Sequence, residues 1–312
     1  MRNYPLDFAR ALCTLYIVGF WHMLNYLSPN LQLEGGALTI CERITQSVLA
    51  CFTFLSGFFL KKYEFRNLCD VKSFYIKRLT RFYPLFVVAA FSTIICGNGL
   101  RSILLGVIGL SLIVPPAMIT LWYFSMLILF YILTPLLKIQ EKNTKRLISF
   151  VVCVCVVMLL GCTNADERLA IYFPFYVIGL NFNNRLVENS KNWLSLLVSL
   201  LLWVALCEFK LDGIIWQIIH ACCGVSVIVS VSYLFYCEKL KNPIGFVASA
   251  SMCAYLFHRP LYTVIVYLIN MLSVCKYMTI PIAGISLALL IVLSFYIQKL
   301  YENALQTVKF GT

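Results

Sequence analysis

The sequence predicts an all-α fold: a polytopic transmembrane helical bundle of about 10 spans, with 11 possible and both termini cytoplasmic. Three observations predict it. Hydrophobic residues make up 61% of the 312-residue chain and charged residues only 12%, about half the usual soluble share of roughly a quarter, and the mean hydropathy is +0.87. Apolar runs of about 20 residues recur along the whole chain, the length needed to cross a bilayer. The cations between those runs fall mainly on one side, as the positive-inside rule requires.

Taken in order, the candidate spans lie near 7–27, 40–60, 82–98, 121–138, 147–162, 169–183, 193–208, 214–237, 248–272 and 279–299. The first run lacks a small-residue cleavage site and continues into Trp21-His22-Met23-Leu24-Asn25-Tyr26, so it is expected to remain as a span. Segment 100–116 is apolar but short and ends in Pro115-Pro116. If it does not cross, nineteen of the 25 Lys and Arg residues are cytoplasmic, five lie outside and Arg259 sits within a span. If it crosses, the basic loop 138–146 moves outside, so the segment is expected to be re-entrant or interfacial on the outer face.

The longest loops, about 28–39 and 61–81, leave no room for another domain, and residues 1–312 read as a single integral-membrane unit. No repeat or low-complexity stretch is visible. The net charge of +12 is scattered through short loops rather than gathered in a patch, which explains it by topology and argues against a nucleic-acid partner. Most of the 14 cysteines lie in apolar runs with no Cys-x-x-Cys pair, and none of the three histidines has metal-ligand spacing to a cysteine. The expectation is small apolar cysteines and no metal site.

Ionisable groups inside a bilayer are costly and therefore point to function. Asp7 and Arg10 are three apart and share a helix face near the cytoplasmic surface, where Arg10 is either a topology anchor or a functional cation. His22 lies fifteen residues beyond Asp7, more than about 20 Å across the membrane at 1.5 Å per residue, and is read as a catalytic candidate. Ser56-Gly57 either packs helices closely or lines a ligand entry. Arg78 and Arg81, also three apart, either flank a span or bind an anion. Trp122-Tyr123 opens a span at the outer interface, and His258-Arg259-Pro260 lies close to mid-membrane, where such a charge must face protein or water. His220 is either structural or part of the same cavity.

The ordered series Leu6-Asp7-Phe8-Ala9-Arg10 with His22, Phe54-Leu55-Ser56-Gly57-Phe58-Phe59, Lys77-Arg78-Leu79-Thr80-Arg81-Phe82-Tyr83-Pro84, Leu121-Trp122-Tyr123 and Ser251-Met252-Cys253-Ala254-Tyr255-Leu256-Phe257-His258-Arg259-Pro260-Leu261 resembles the membrane-bound acyltransferase family 3, the bacterial O-acyltransferase type. The likeness covers essentially the whole chain. It implies a multi-pass enzyme of the bacterial inner membrane with no tightly bound cofactor. Such an enzyme takes an acyl group, usually acetyl, from acyl-CoA as co-substrate and passes it to a hydroxyl of a saccharide or lipid-linked glycan. The implied roles are catalytic for His22 and Arg10, and donor-binding for Arg78, Arg81, Ser56 and Gly57. Trp122, Tyr123, His258 and Arg259 are candidates for the acceptor or its cavity.

Two departures from the family pattern matter. Eleven residues separate Arg10 from His22 where ten are usual, and twelve α-helical steps leave the two about 120° apart. Either a π-bulge near Gly19 restores the register or the two do not face one cavity. Leu127 stands where many members carry a glutamate. No fused extracytoplasmic domain is expected, so the acyl group is delivered by the chain itself or handed to a separate protein. Because His22 and the arginine pair lie near opposite faces, the thioester either penetrates deeply or an acyl relay intervenes. The rival reading is a transporter or flippase of a lipid-linked saccharide or acyl intermediate.

Overall fold

A computed structural model describes residues 3–27, 34–138, 151–152, 155–156, 164–182, 193–208, 213–272 and 278–310. Among the described residues the secondary structure is helical, with no strand. The first helix begins at Tyr4, where the Asn3 side chain accepts from the Leu6 amide at 3.2 Å and Pro5 occupies the first turn, a favourable arrangement for orphan amides. It runs as α1 (Tyr4–Thr14), a π-helical segment (Leu15–His22) and α2 (Met23–Leu27). Then follow α3 (Gly35–Leu60), α4 (Leu68–Ser92), α5 (Leu100–Val107), α6 (Trp122–Lys138), α7 (Glu167–Asn181), α8 (Trp193–Glu208), α9 (Ile214–Phe235), α10 (Lys241–Met271) and α11 (Thr279–Phe310).

Among the described residues, five helical stretches are long and apolar enough to cross a membrane: 35–60, 68–96, 214–235, 238–271 and 279–307. Shorter apolar helices cover 122–138 and 193–207. Most of the expected span at 147–162, and most of the basic loop before it, lie outside the described residues. Segment 100–116 contains only the eight-residue α5, about 12 Å at 1.5 Å per residue and too short to span. The helix is followed by a turn at Gly109, whose φ of +83° suits a residue without a Cβ.

The stretch expected as a loop up to residue 81 is corrected in part. Helix α4 starts at Leu68, capped by Asn67, whose side chain accepts from the Asp70 amide at 2.9 Å. Arg78 and Arg81 therefore sit well inside a helix. Pro84 removes the amide that would have bonded the Thr80 carbonyl; the Tyr301 hydroxyl donates to that carbonyl instead.

Close backbone approach joins α3 to α7. A Cβ added to Gly57 would run into the Tyr176 carbonyl, and one added to Gly179 would run into the Phe54 carbonyl. Paired glycines of this kind let transmembrane helices touch along their backbones. Polar bonds hold α3, α8 and α9 together: Gln46 Nε2 donates to Gln217 Oε1 at 2.7 Å, Trp203 Nε1 to Ser47 Oγ at 3.1 Å, and Ser199 meets Ser226 at 2.8 Å. Lys138 closes the end of α3 by donating to the carbonyls of Leu60, Lys61 and Tyr63, which also places a cation at the helix C-terminus.

Candidate active site

At the end of the bundle that carries Lys61, Lys62, Arg78 and Arg81 there is a cavity of about 1500 Å³. These four cations line it together with Asp7, Arg10 and Ser56, and its inner wall includes Phe52, Tyr123, Leu127, Tyr131 and Tyr255. Successive turns of α4 put Arg78 and Arg81 on one face. The Arg78 guanidinium lies over the Tyr63 ring at 5.1 Å, and its Nε is buried without a hydrogen-bond partner. Neither arginine is paired with a carboxylate among the described residues.

Arg10 is held differently. Its Nη2 donates to Asp7 Oδ1 at 2.6 Å, and the guanidinium lies over the Phe59 ring at 5.6 Å. Ser56 donates to the Phe52 carbonyl at 2.9 Å and reaches the cavity. Gly57 does not line it, because the α7 backbone occupies the space beside it; its role in the fold is close packing.

The register of His22 is set by the π-helical segment. Each step with i→i+5 bonding turns by less than about 90°, so seven such steps take back at least about 70° of the roughly 120° offset from Arg10. Neighbouring helices hold the segment in place. The Tyr262 hydroxyl donates to the Val18 carbonyl at 3.1 Å, and Gly19 lies so close to α11 that a Cβ would come within 2.7 Å of Leu287 Cδ2. His22 consequently faces α10, where its ring stacks on that of His258 with centroids 4.5 Å apart and planes 2° from parallel.

The pair is not itself part of the cavity wall; Tyr255 connects the two regions. The Tyr255 ring centroid is 5.7 Å from Tyr123 on the cavity side, and 5.5 Å and 6.3 Å from His258 and His22 on the other. Its hydroxyl donates to the Thr120 carbonyl at 3.2 Å. Beyond the histidines, Arg259 donates to the Tyr26 hydroxyl at 2.7 Å and to Thr120 Oγ1 at 3.0 Å, with its guanidinium 4.4 Å from the Tyr26 ring centre. Arg259 thus ties the far end of the first helix to the turn before α6. Thr120 has a positive φ of 68°, a conformation unfavourable for a β-branched residue and one that marks functional regions.

Trp122 and Tyr123, expected together at the outer face, separate. Tyr123 points to the cavity, with its hydroxyl buried and unpartnered. Trp122 stacks on Tyr172, and Arg168 lies 4.2 Å from its ring centre. Arg168 is in turn fixed by Asp166, which accepts from Arg168 Nε at 2.7 Å. Burial raises the Asp166 carboxyl, but the bonds from Arg168 outweigh it and hold the group below the usual carboxylate range. His220 does not join the cavity; its Nε2 lies 3.2 Å from Cys207 Sγ, and its ring is 5.0 Å from that of Trp203. Among the described residues no three His, Cys, Asp or Glu side chains group as metal ligands.

A family model described as an acyltransferase domain, acyltransferase 3, matches residues 3–299. The chain belongs to the acyltransferase 3 family. No curated protein and no solved structure gives a significant match. This acyltransferase thus carries a basic cavity at one end and a histidine pair deeper in the bundle, with a tyrosine between them. Sequence reading had not singled out Tyr255, although it lies three residues before His258 and so on the same helix face.

Proposed function

We propose that the chain is an acyl-CoA-dependent O-acyltransferase of the bacterial inner membrane, moving an acyl group, acetyl in the first instance, from cytoplasmic acyl-CoA to a hydroxyl of a cell-surface or lipid-linked saccharide. The observation that carries this reading is one cavity with Arg78 and Arg81 at its basic end and Tyr255 on its inner wall, with His22 behind that ring. Guanidinium groups offer fixed, bidentate donors to phosphate, and the unpartnered Arg78 Nε is such a donor. Lys61 and Lys62 add positive charge. The apolar and aromatic walls suit a pantetheine arm.

In the reaction, His22 takes the proton of the acceptor hydroxyl as that oxygen attacks the thioester carbonyl. The C–S bond then breaks, the proton passes to the leaving thiolate, and the products are an ester and CoA with a free thiol. Arg10, oriented by Asp7, lends positive charge to the donor within the cavity. The test uses purified protein in detergent with labelled acetyl-CoA and a saccharide acceptor. The expected result is consumption of thioester matched by labelled ester. A flippase would instead require a sealed bilayer and leave the thioester intact, and that outcome would reject the proposal.

A further inference from the structure

The stacked histidines differ in what they can accept. His258 is fully buried, and its Nδ1 lies 2.7 Å from the Tyr255 carbonyl. A carbonyl oxygen can only accept, so Nδ1 carries the ring proton and, in the neutral ring, Nε2 is a bare lone pair. That Nε2 is buried with no hydrogen-bond partner, and so is Nδ1 of the adjacent His22. Buried polar atoms are nearly always satisfied, and leaving one without a partner is costly. Parallel rings direct their in-plane nitrogens side by side, so the two imidazoles do not satisfy each other.

We propose that His258 Nε2 is a binding site for a second hydroxyl of the acceptor, next to the one that is acylated, so that the enzyme selects polyhydroxyl acceptors carrying neighbouring O–H groups. The inference rests on the proposed O-acyl transfer with His22 as base. While His22 takes the reacting proton, His258 receives a hydrogen bond from the adjacent hydroxyl and retains no proton from it. Two nitrogens on rings 4.5 Å apart can each meet one oxygen of a vicinal diol through ordinary hydrogen bonds of about 2.8 Å. A mono-alcohol leaves His258 Nε2 unsatisfied, and sites built around such bonds discriminate strongly against analogues that lack the group.

The experiment compares trans-cyclohexane-1,2-diol with cyclohexanol as acceptors for labelled acetyl-CoA, using the full chain in detergent. The wild type is expected to show a kcat/KM at least about tenfold higher for the diol. In His258→Phe the diol rate is expected to fall at least about tenfold more than the mono-alcohol rate, bringing the ratio close to one. A purely structural role for His258 would lower both rates alike and leave the ratio intact, and that result would overturn the proposal. A wild-type ratio near one overturns it independently, whether or not the variant folds. A wild type that consumes no acetyl-CoA with either probe removes the underlying transfer reading, and this site with it.

Discussion

His22 and His258 lie face to face, 4.5 Å apart and 2° from parallel, although 236 positions separate them in the chain. The contact depends on the π-helical winding of Leu15–His22, which brings His22 round toward α10. Tyr262 supports that winding from α10, the same helix that carries His258. Tyr262→Phe removes the hydroxyl that donates to the Val18 carbonyl, a loss of about 0.5–1.5 kcal/mol. The expected outcome is a lower thermal midpoint and reduced acyl transfer, with acyl-CoA affinity at the basic end unchanged; binding and turnover measured side by side check it.

Arg78 and Arg81 are proposed to hold the donor's phosphates. Arg81 is exposed and Arg78 half-buried, so solvent screening reduces what each contributes. Single alanine substitutions are expected to weaken acetyl-CoA binding by about tenfold and the double substitution by more, with the loss shrinking at high salt. Lysine at position 78 should recover only part of the affinity, because it lacks the planar fork. Titration calorimetry at two salt concentrations reads both effects.

Gly57 is assigned to packing rather than to the donor. Gly57→Ala forces a methyl group into the Tyr176 backbone and is expected to destabilise the bundle by about 1–3 kcal/mol. Gly36, in the same helix, has open space around it, so Gly36→Ala is expected to be neutral or slightly stabilising. Detergent thermal unfolding of the two variants provides a direct contrast.

Arg259 joins Tyr26 and Thr120 through two bonds from one nitrogen. Arg259→Ala leaves both partners without their donor beside the histidine pair, so a loss of stability together with transfer is expected. Tyr26→Phe should reproduce a smaller part of the same loss. A retained thermal midpoint in Arg259→Ala would remove the anchoring role.

Much of the architecture was legible because apolar runs and their flanking cations report spans directly. The start of α4 was not: the basic run Lys72–Arg81 reads as a loop, yet it is the solvated continuation of a helix beyond its apolar part. The extra residue between Arg10 and His22 exposed a register error but left two readings open, a π-bulge near Gly19 or two residues facing different cavities. The folded chain shows a π winding over Leu15–His22 and a cavity that Arg10 lines and His22 does not. Gly57 was harder to interpret, because its partner Gly179 is 122 positions away and only the folded chain shows their close approach. The separation of Trp122 from Tyr123 follows from the 100° between helical neighbours, a consequence that their shared motif obscured. Tyr255 was hidden for a related reason, lying among apolar residues of α10 with nothing in its spacing to show that it reaches the cavity.

The most direct measurement is the rate of labelled acetyl transfer by His22→Ala, in purified protein that still binds acetyl-CoA with wild-type affinity. General-base assistance is typically worth about 100- to 10,000-fold, so the account predicts a fall of at least about a hundredfold in turnover with donor binding preserved. Turnover within a few-fold of wild type would contradict it, and the stacked pair would then have no part in the chemistry.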